Sequence, residues 1–163
     1  MPIRALSRLN STLIKVASGM TAAALAVIAV VVPYEVFGRY VLGDVPVWSG
    51  EAATFALVWA SMMGSAVGLE KGYQVSLNLL KDRLPGIPSL IVTGCMYAVM
   101  LVFLGWMTWF GTDQTIVNMR QYSTAMGIPM SLPYLALPAG FTIMLLVTVE
   151  QCWTFFRPRS KRN

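Results

Sequence analysis

The groups of this 163-residue chain that could move a proton, hold a metal or attack a bond are seven acids, twelve lysines and arginines, and two cysteines, with no histidine. Lack of histidine removes bis-imidazole haem ligation and imidazole acid–base catalysis. Cys95 and Cys152 do not form a C-x-x-C pair, so they read as small apolar fillers rather than as a disulfide oxidoreductase. The chain contains no phosphate-cradling glycine loop. No catalytic residue, cofactor or metal site is therefore expected, and the remaining chemistry is the pairing of charges. Glu35 and Arg39 are four apart and can share a helical face as an interfacial ion pair; the competing reading makes Glu35 a coupling acid. Glu51 follows Ser49 and Gly50 and suits a helix start, where the positive dipole end favours an anion, with Trp48 beside it as a headgroup-level anchor. Glu150 and Lys15 are expected at similar depth on the inner side, forming a second pair.

Such charges need elements to hold them, and the composition says what kind. The sequence is 56% hydrophobic and only 12% charged, against roughly 25% charged residues in a soluble domain. Four uncharged runs, roughly 16–32, 52–69, 90–110 and 132–149, are near the length a helix needs to cross a hydrocarbon core of about 30 Å. The expected fold is all-α and integral to the membrane, a single domain over 1–163. Its transmembrane helices are placed at about 13–38, 50–70, 88–112 and 130–156. Basic residues set the orientation. With both termini cytoplasmic, Arg4, Arg8, Lys15, Lys71, Lys81, Arg83, Arg157, Arg159, Lys161 and Arg162 lie inside, leaving Arg39 and Arg120 outside. This bias accounts for the net charge of +5 without nucleic acid as a partner.

The basic N-terminal segment ahead of an apolar run also describes a secretory signal, with Ala24-Leu25-Ala26 as a cleavage pattern. Cleavage there would leave a greasy new terminus, so the first span is expected to stay. Asn10-Ser11-Thr12 matches a glycosylation triplet but lies on the inner side and is set aside. In the second span Ala52, Ala56, Ala60, Gly64 and Gly68 recur every four residues, a strip of small side chains against which another helix can pack closely. The partner, in this chain or another, is left open. Residues 73–84 alternate like a strand, but an isolated strand at a bilayer surface leaves its backbone unpaired, so an in-plane amphipathic helix is expected there. Lys71, Lys81 and Arg83 would then face phospholipid headgroups, with a bend at Gly72 and an end at Pro85. Trp106, Trp109 and Phe110 form an outer aromatic belt. Pro129, Pro133 and Pro138 enter the fourth span, where Pro138 is expected to kink the helix and, with Pro129, to shape a packing face.

Taken in order, Arg39 after the first span, VWSGE at 47–51, LVWASMMGSAVGLEKGYQVSLNLL at 57–80 and GIPMSLPYLALPAG at 127–140 resemble the small membrane subunit of TRAP transporters, the DctQ family. The resemblance covers nearly the whole chain. One departure is that Tyr73 and Gln74 follow Gly72 where the family often has histidine. The resemblance implies a bacterial inner-membrane complex in which a periplasmic substrate-binding protein delivers an organic acid or similar solute. A large multi-span subunit carries it, driven by an ion gradient, while the small subunit steadies the scaffold without holding substrate. Spans free of charge at their middle agree with a structural partner. The rival reading, a stand-alone small homodimeric exporter, needs an essential acid within the membrane, and Glu35 and Glu150 both lie near span ends.

Overall fold

The computed structural model describes residues 2–43, 46–83 and 87–156, with the backbone alone described for 2–6, 73–83 and 87. Helix α1, Pro2–Phe37, passes through Pro33 without stopping and runs into a π-helical turn, Gly38–Leu42. Gly43 ends it in the left-handed conformation, φ 68°, that glycine adopts without a Cβ penalty. Helix α2, Val47–Arg83, follows after Pro46, whose carbonyl accepts from both the Ser49 amide and the Ser49 hydroxyl. Helix α3 is Ile87–Val117, continued by a 3₁₀ turn at Asn118–Arg120. A short α4, Ser131–Tyr134, leads into α5, Ala136–Phe156. Four helical stretches are long and apolar enough to cross a membrane: 7–42, 47–72, 88–120 and 131–156.

Residues 73–83 are helical, in keeping with the unpaired-backbone argument, but the separate in-plane helix expected at 73–84 is not present as its own element. The backbone continues α2 to Arg83 with no break at Gly72. The reason is local. An internal glycine costs a helix only about 1 kcal/mol, whereas proline ends it, and no proline lies between Pro46 and Pro85. The side chains of Lys81 and Arg83, with their expected headgroup contacts, lie outside the described residues.

In the bundle α2 packs along α1 on one side and α5 on another, and α3 packs against α5, so α2 and α5 form the middle and α1 and α3 stand apart. Small residues permit this. A Cβ built on Gly140 of α5 would lie 2.9 Å from Met62 Cβ and 3.3 Å from the Met62 carbonyl oxygen of α2. One on Gly111 of α3 would lie 3.1 Å from the Pro138 nitrogen. Ala66, Leu104 and Met144 form the buried centre, one from each of α2, α3 and α5.

Pro138 acts one turn upstream of itself. Lacking an N–H, it leaves the Tyr134 carbonyl without its i+4 donor, and the helix is interrupted at Leu135, between α4 and α5. The Leu135 amide still donates to Ser131 O at 2.8 Å and the Ala139 amide to Leu135 O at 3.2 Å, so the chain turns without unravelling.

Candidate functional sites at the ends of the bundle

At the end of the bundle away from the chain termini the loop between α3 and α4 folds back on itself. Ser123 N donates to Ile128 O at 2.8 Å, Met130 N to Gln121 O at 2.8 Å, and Gly127, φ 64°, closes the turn by donating to Ser123 O. Glu51, in the first turns of α2, reaches into this loop. Its carboxylate accepts from the hydroxyls of Ser123 and Thr124, the latter at 3.0 Å, and from the amides of Ala125 and Met126 at 3.1 and 3.2 Å. Four donors to one anion fix the loop to α2, because bonds to a charged acceptor are the stronger class. The helix-start role expected for Glu51 is thus joined by a longer-range one, and Ser123 to Met126, which the sequence reading passed over, complete the cluster.

Beside it, Arg39 Nη2 lies 2.8 Å from Glu35 Oε1. The guanidinium is about half exposed, so the pair is an anchor at the surface rather than a buried charge couple. Trp48 stacks on Tyr34 with centroids 6.1 Å apart, tying the start of α2 to α1 just below. A Cβ on Gly50 would come within 4.0 Å of Glu35 Oε2, which brings Glu35 to the same corner.

The small-residue strip is used unevenly. Ala52 and Ala56 are half-buried, Ala60 is buried, and Gly64 meets Thr21 of α1 at 3.5 Å from its virtual Cβ. Gly68 is exposed with nothing within 4 Å, and Lys71 beyond it is exposed too. The tightest approaches involve glycines outside the strip, Gly140 and Gly111. Of the two prolines named with the strip, Pro129 bridges to Tyr122 in the α3–α4 loop and Pro138 packs on Gly111.

At the opposite end, that of the chain termini, the expected Lys15–Glu150 pair is replaced. Lys15 is exposed, and the only ion pair among the described residues is Glu35–Arg39. The Glu150 carboxylate instead accepts from Asn10 Nδ2, which also donates to Leu146 O at 3.1 Å. Helix geometry explains the exchange. Asn10, Ile14 and Ala17 lie on the buried side of α1, whereas Lys15, one residue past Ile14, is turned about 100° away. Asn10, set aside as part of a glycosylation triplet, is thereby the residue that joins α1 to α5. On the neighbouring side Tyr97 of α3 packs against Phe155 and Phe156 of α5, at 6.0 and 6.4 Å between centroids.

These sites hold helices together; among the described residues no three histidine, cysteine or acidic side chains gather as metal ligands would. The chain is similar to known proteins along most of its length. It is 22% identical over 138 residues to the sialic acid TRAP transporter small permease protein SiaQ of Vibrio cholerae, covering 85% of this chain and 80% of that protein. It is 22% identical over 143 residues to the C4-dicarboxylate TRAP transporter small permease protein DctQ of the same organism, with 73% of this chain and 62% of that protein covered. A third relative, the isethionate TRAP transporter permease protein DctMQ of Oleidesulfovibrio alaskensis, is 29% identical over 104 residues, which are 60% of this chain but 16% of the relative. Residues 28–157, from the last turns of α1 through the end of α5, match the family model for the DctQ component of the tripartite ATP-independent periplasmic transporters, and the chain belongs to that family.

Proposed function

We propose that this chain is the small scaffold subunit of a TRAP transporter in the bacterial inner membrane. It supports a large multi-span subunit that takes up an organic acid or similar solute on an ion gradient, with a periplasmic binding protein delivering the solute. The observation that carries this reading is the DctMQ relative, in which a stretch similar to this chain makes up 16% of one longer permease. A chain that occurs fused to a larger permease is expected to pack against one when separate.

The bundle suits that role. Val30 of α1 and Val99 and Trp109 of α3 are each at least 70% exposed, so both outlying helices present apolar surface to lipid or to a partner. The relatives are named for sialic acid, isethionate and C4-dicarboxylates. Similar small subunits thus serve different acids, which argues that solute selection lies with the partners. In this reading the chain performs no catalysis and both termini face the cytoplasm. Gly64 seats α2 on α1 at Thr21, while Gly68 is free for a partner. Lys71 sits at the inner headgroups, and Glu35, Arg39, Trp48 and Glu51 brace the outer face toward the binding protein.

The test is to tag the chain, extract it in mild detergent from cells carrying its neighbouring genes, and identify what copurifies. A large multi-span permease should accompany it, and solute uptake in liposomes should need both. Transport by this chain alone would overturn the proposal.

A further inference from the structure

Arg8 and Lys15 lie on α1 two turns apart, about 10 Å along the axis, a spacing that returns to nearly the same side of the helix. Both are exposed, and among the described residues neither side chain has an ion-pair or hydrogen-bond partner. The side of α1 that enters the bundle is the one bearing Asn10, Ile14 and Ala17, so the two cations are aimed away from the protein. Ser11 is exposed between them, and the same side continues upward through exposed Ser18 and Ala22. Lys15 is also the last charge before an uncharged run that reaches Tyr34. The patch therefore sits where α1 passes from polar to hydrocarbon-matched sequence, the depth at which a bilayer carries its phosphates.

We infer that Arg8, Ser11 and Lys15 hold the phosphodiester headgroup of an anionic phospholipid on the outward side of α1, with small Ser18 and Ala22 leaving room for its acyl chain. The groups fit the ligand. A guanidinium can grip two phosphate oxygens at once, an ammonium adds a compact charge, and a serine hydroxyl adds a donor. An acidic protein segment offers carboxylates but would have to be brought to the hydrocarbon border, where a phospholipid already has its charge. The inference does not depend on the large partner subunit.

The test uses the full chain in mild detergent, titrated with phosphatidylglycerol or with phosphatidylcholine of the same acyl chains and read by native mass spectrometry. Each basic residue near an anionic lipid surface multiplies affinity about fivefold. The double variant R8Q/K15Q should therefore lower the phosphatidylglycerol-to-phosphatidylcholine retention ratio about 30-fold, and each single variant about fivefold. Arg120→Gln, an exposed cation at the other end of the bundle, should leave the ratio within about twofold. If the double variant does not yield folded protein, the single variants carry the same test. Equal retention of the two lipids by the unaltered chain, or a ratio that survives Arg8→Gln and Lys15→Gln, overturns the site. Displacement of phosphatidylglycerol by millimolar inorganic phosphate would assign the patch to free anions, and displacement by polyglutamate to an acidic protein segment; either refutes the lipid assignment.

Discussion

Replacing Gly140 with alanine should destabilise the bundle, and the contact it creates sets the size of the effect. The new Cβ would stand 2.9 Å from Met62 Cβ and 3.3 Å from the Met62 carbonyl oxygen. Neither atom can swing aside, because one is bonded to the α2 backbone and the other belongs to it, so α2 and α5 must separate by several tenths of an ångström. Overpacking of this kind costs about 1–3 kcal/mol; with neither atom free to move the upper half of that range, about 2–3 kcal/mol, applies, and alanine recovers about 1 kcal/mol over glycine in a helix. A net loss of about 1–2 kcal/mol remains, rising to about 3 kcal/mol for valine, which brings two more methyl groups and little propensity gain. Gly68→Ala is the internal control. Gly68 is exposed with no neighbour within 4 Å, so the change should be neutral or stabilise by up to about 1 kcal/mol. Thermal unfolding in detergent, followed by emission from the five tryptophans, reads both variants. Gly140→Ala should melt about 2–8 °C below the unaltered chain, at about 2–4 °C per kcal/mol for a chain of this size. Gly140→Ala melting at or above the unaltered chain, or Gly68→Ala falling as far as Gly140→Ala does, would refute close packing of α5 on α2 at Gly140.

Glu51→Gln should loosen the α3–α4 loop, because a neutral amide cannot accept from four donors as the carboxylate does; hydrogen exchange at the Ala125 and Met126 amides should speed up, and unchanged exchange would show that the loop holds itself. Asn10→Leu should cost about 1–3 kcal/mol, since the Leu146 carbonyl and the Glu150 carboxylate both lose their donor. Lys15→Gln in lipid-free detergent should stay within about 0.5 kcal/mol, and a reversed order of the two in thermal unfolding would restore the Lys15–Glu150 pair. Gly111→Ala should lower the melting temperature less than Gly140→Ala, because its contacts with Pro138 and Leu137, at 3.1–3.3 Å, ask for a smaller shift.

The spans were legible in the sequence because burying a helix in hydrocarbon demands about twenty apolar residues in a row, a signal no tertiary contact needs to supply. The Glu35–Arg39 pair was legible for the same reason, being fixed by helical spacing alone. Contacts decided by how distant segments meet were not. Glu51 announced a helix start, but its donors lie more than seventy positions away in a loop whose shape depends on Gly127 and on the bridge from Tyr122 to Pro129. Equal depth suggested Lys15 for Glu150, yet depth says nothing about rotation around α1, and rotation selects Asn10. The regular strip in the second span drew the eye toward close packing, while the tightest approaches use single glycines, Gly111 and Gly140, that carry no period. Gly72 looked like a bend because its flanks change character from apolar to alternating. Hydropathy and backbone geometry are separate matters there, and the helix runs on.

That uninterrupted helix has a mechanical consequence. At 37 residues α2 is about 55 Å long, well beyond the hydrocarbon thickness of about 30 Å. One end is pinned by Glu51 to the loop and by Trp48 to Tyr34, Met62 near the middle lies against Gly140, and Leu69 packs on the buried centre. A rod held at one end and at mid-length can move only in the part that overhangs. From Leu69 to Arg83 is about 21 Å of helix, so each degree of bend just past Leu69 carries the Arg83 end about 0.4 Å sideways. A push on that overhang is thereby delivered to the packed middle of the bundle, with the Glu51 loop held still.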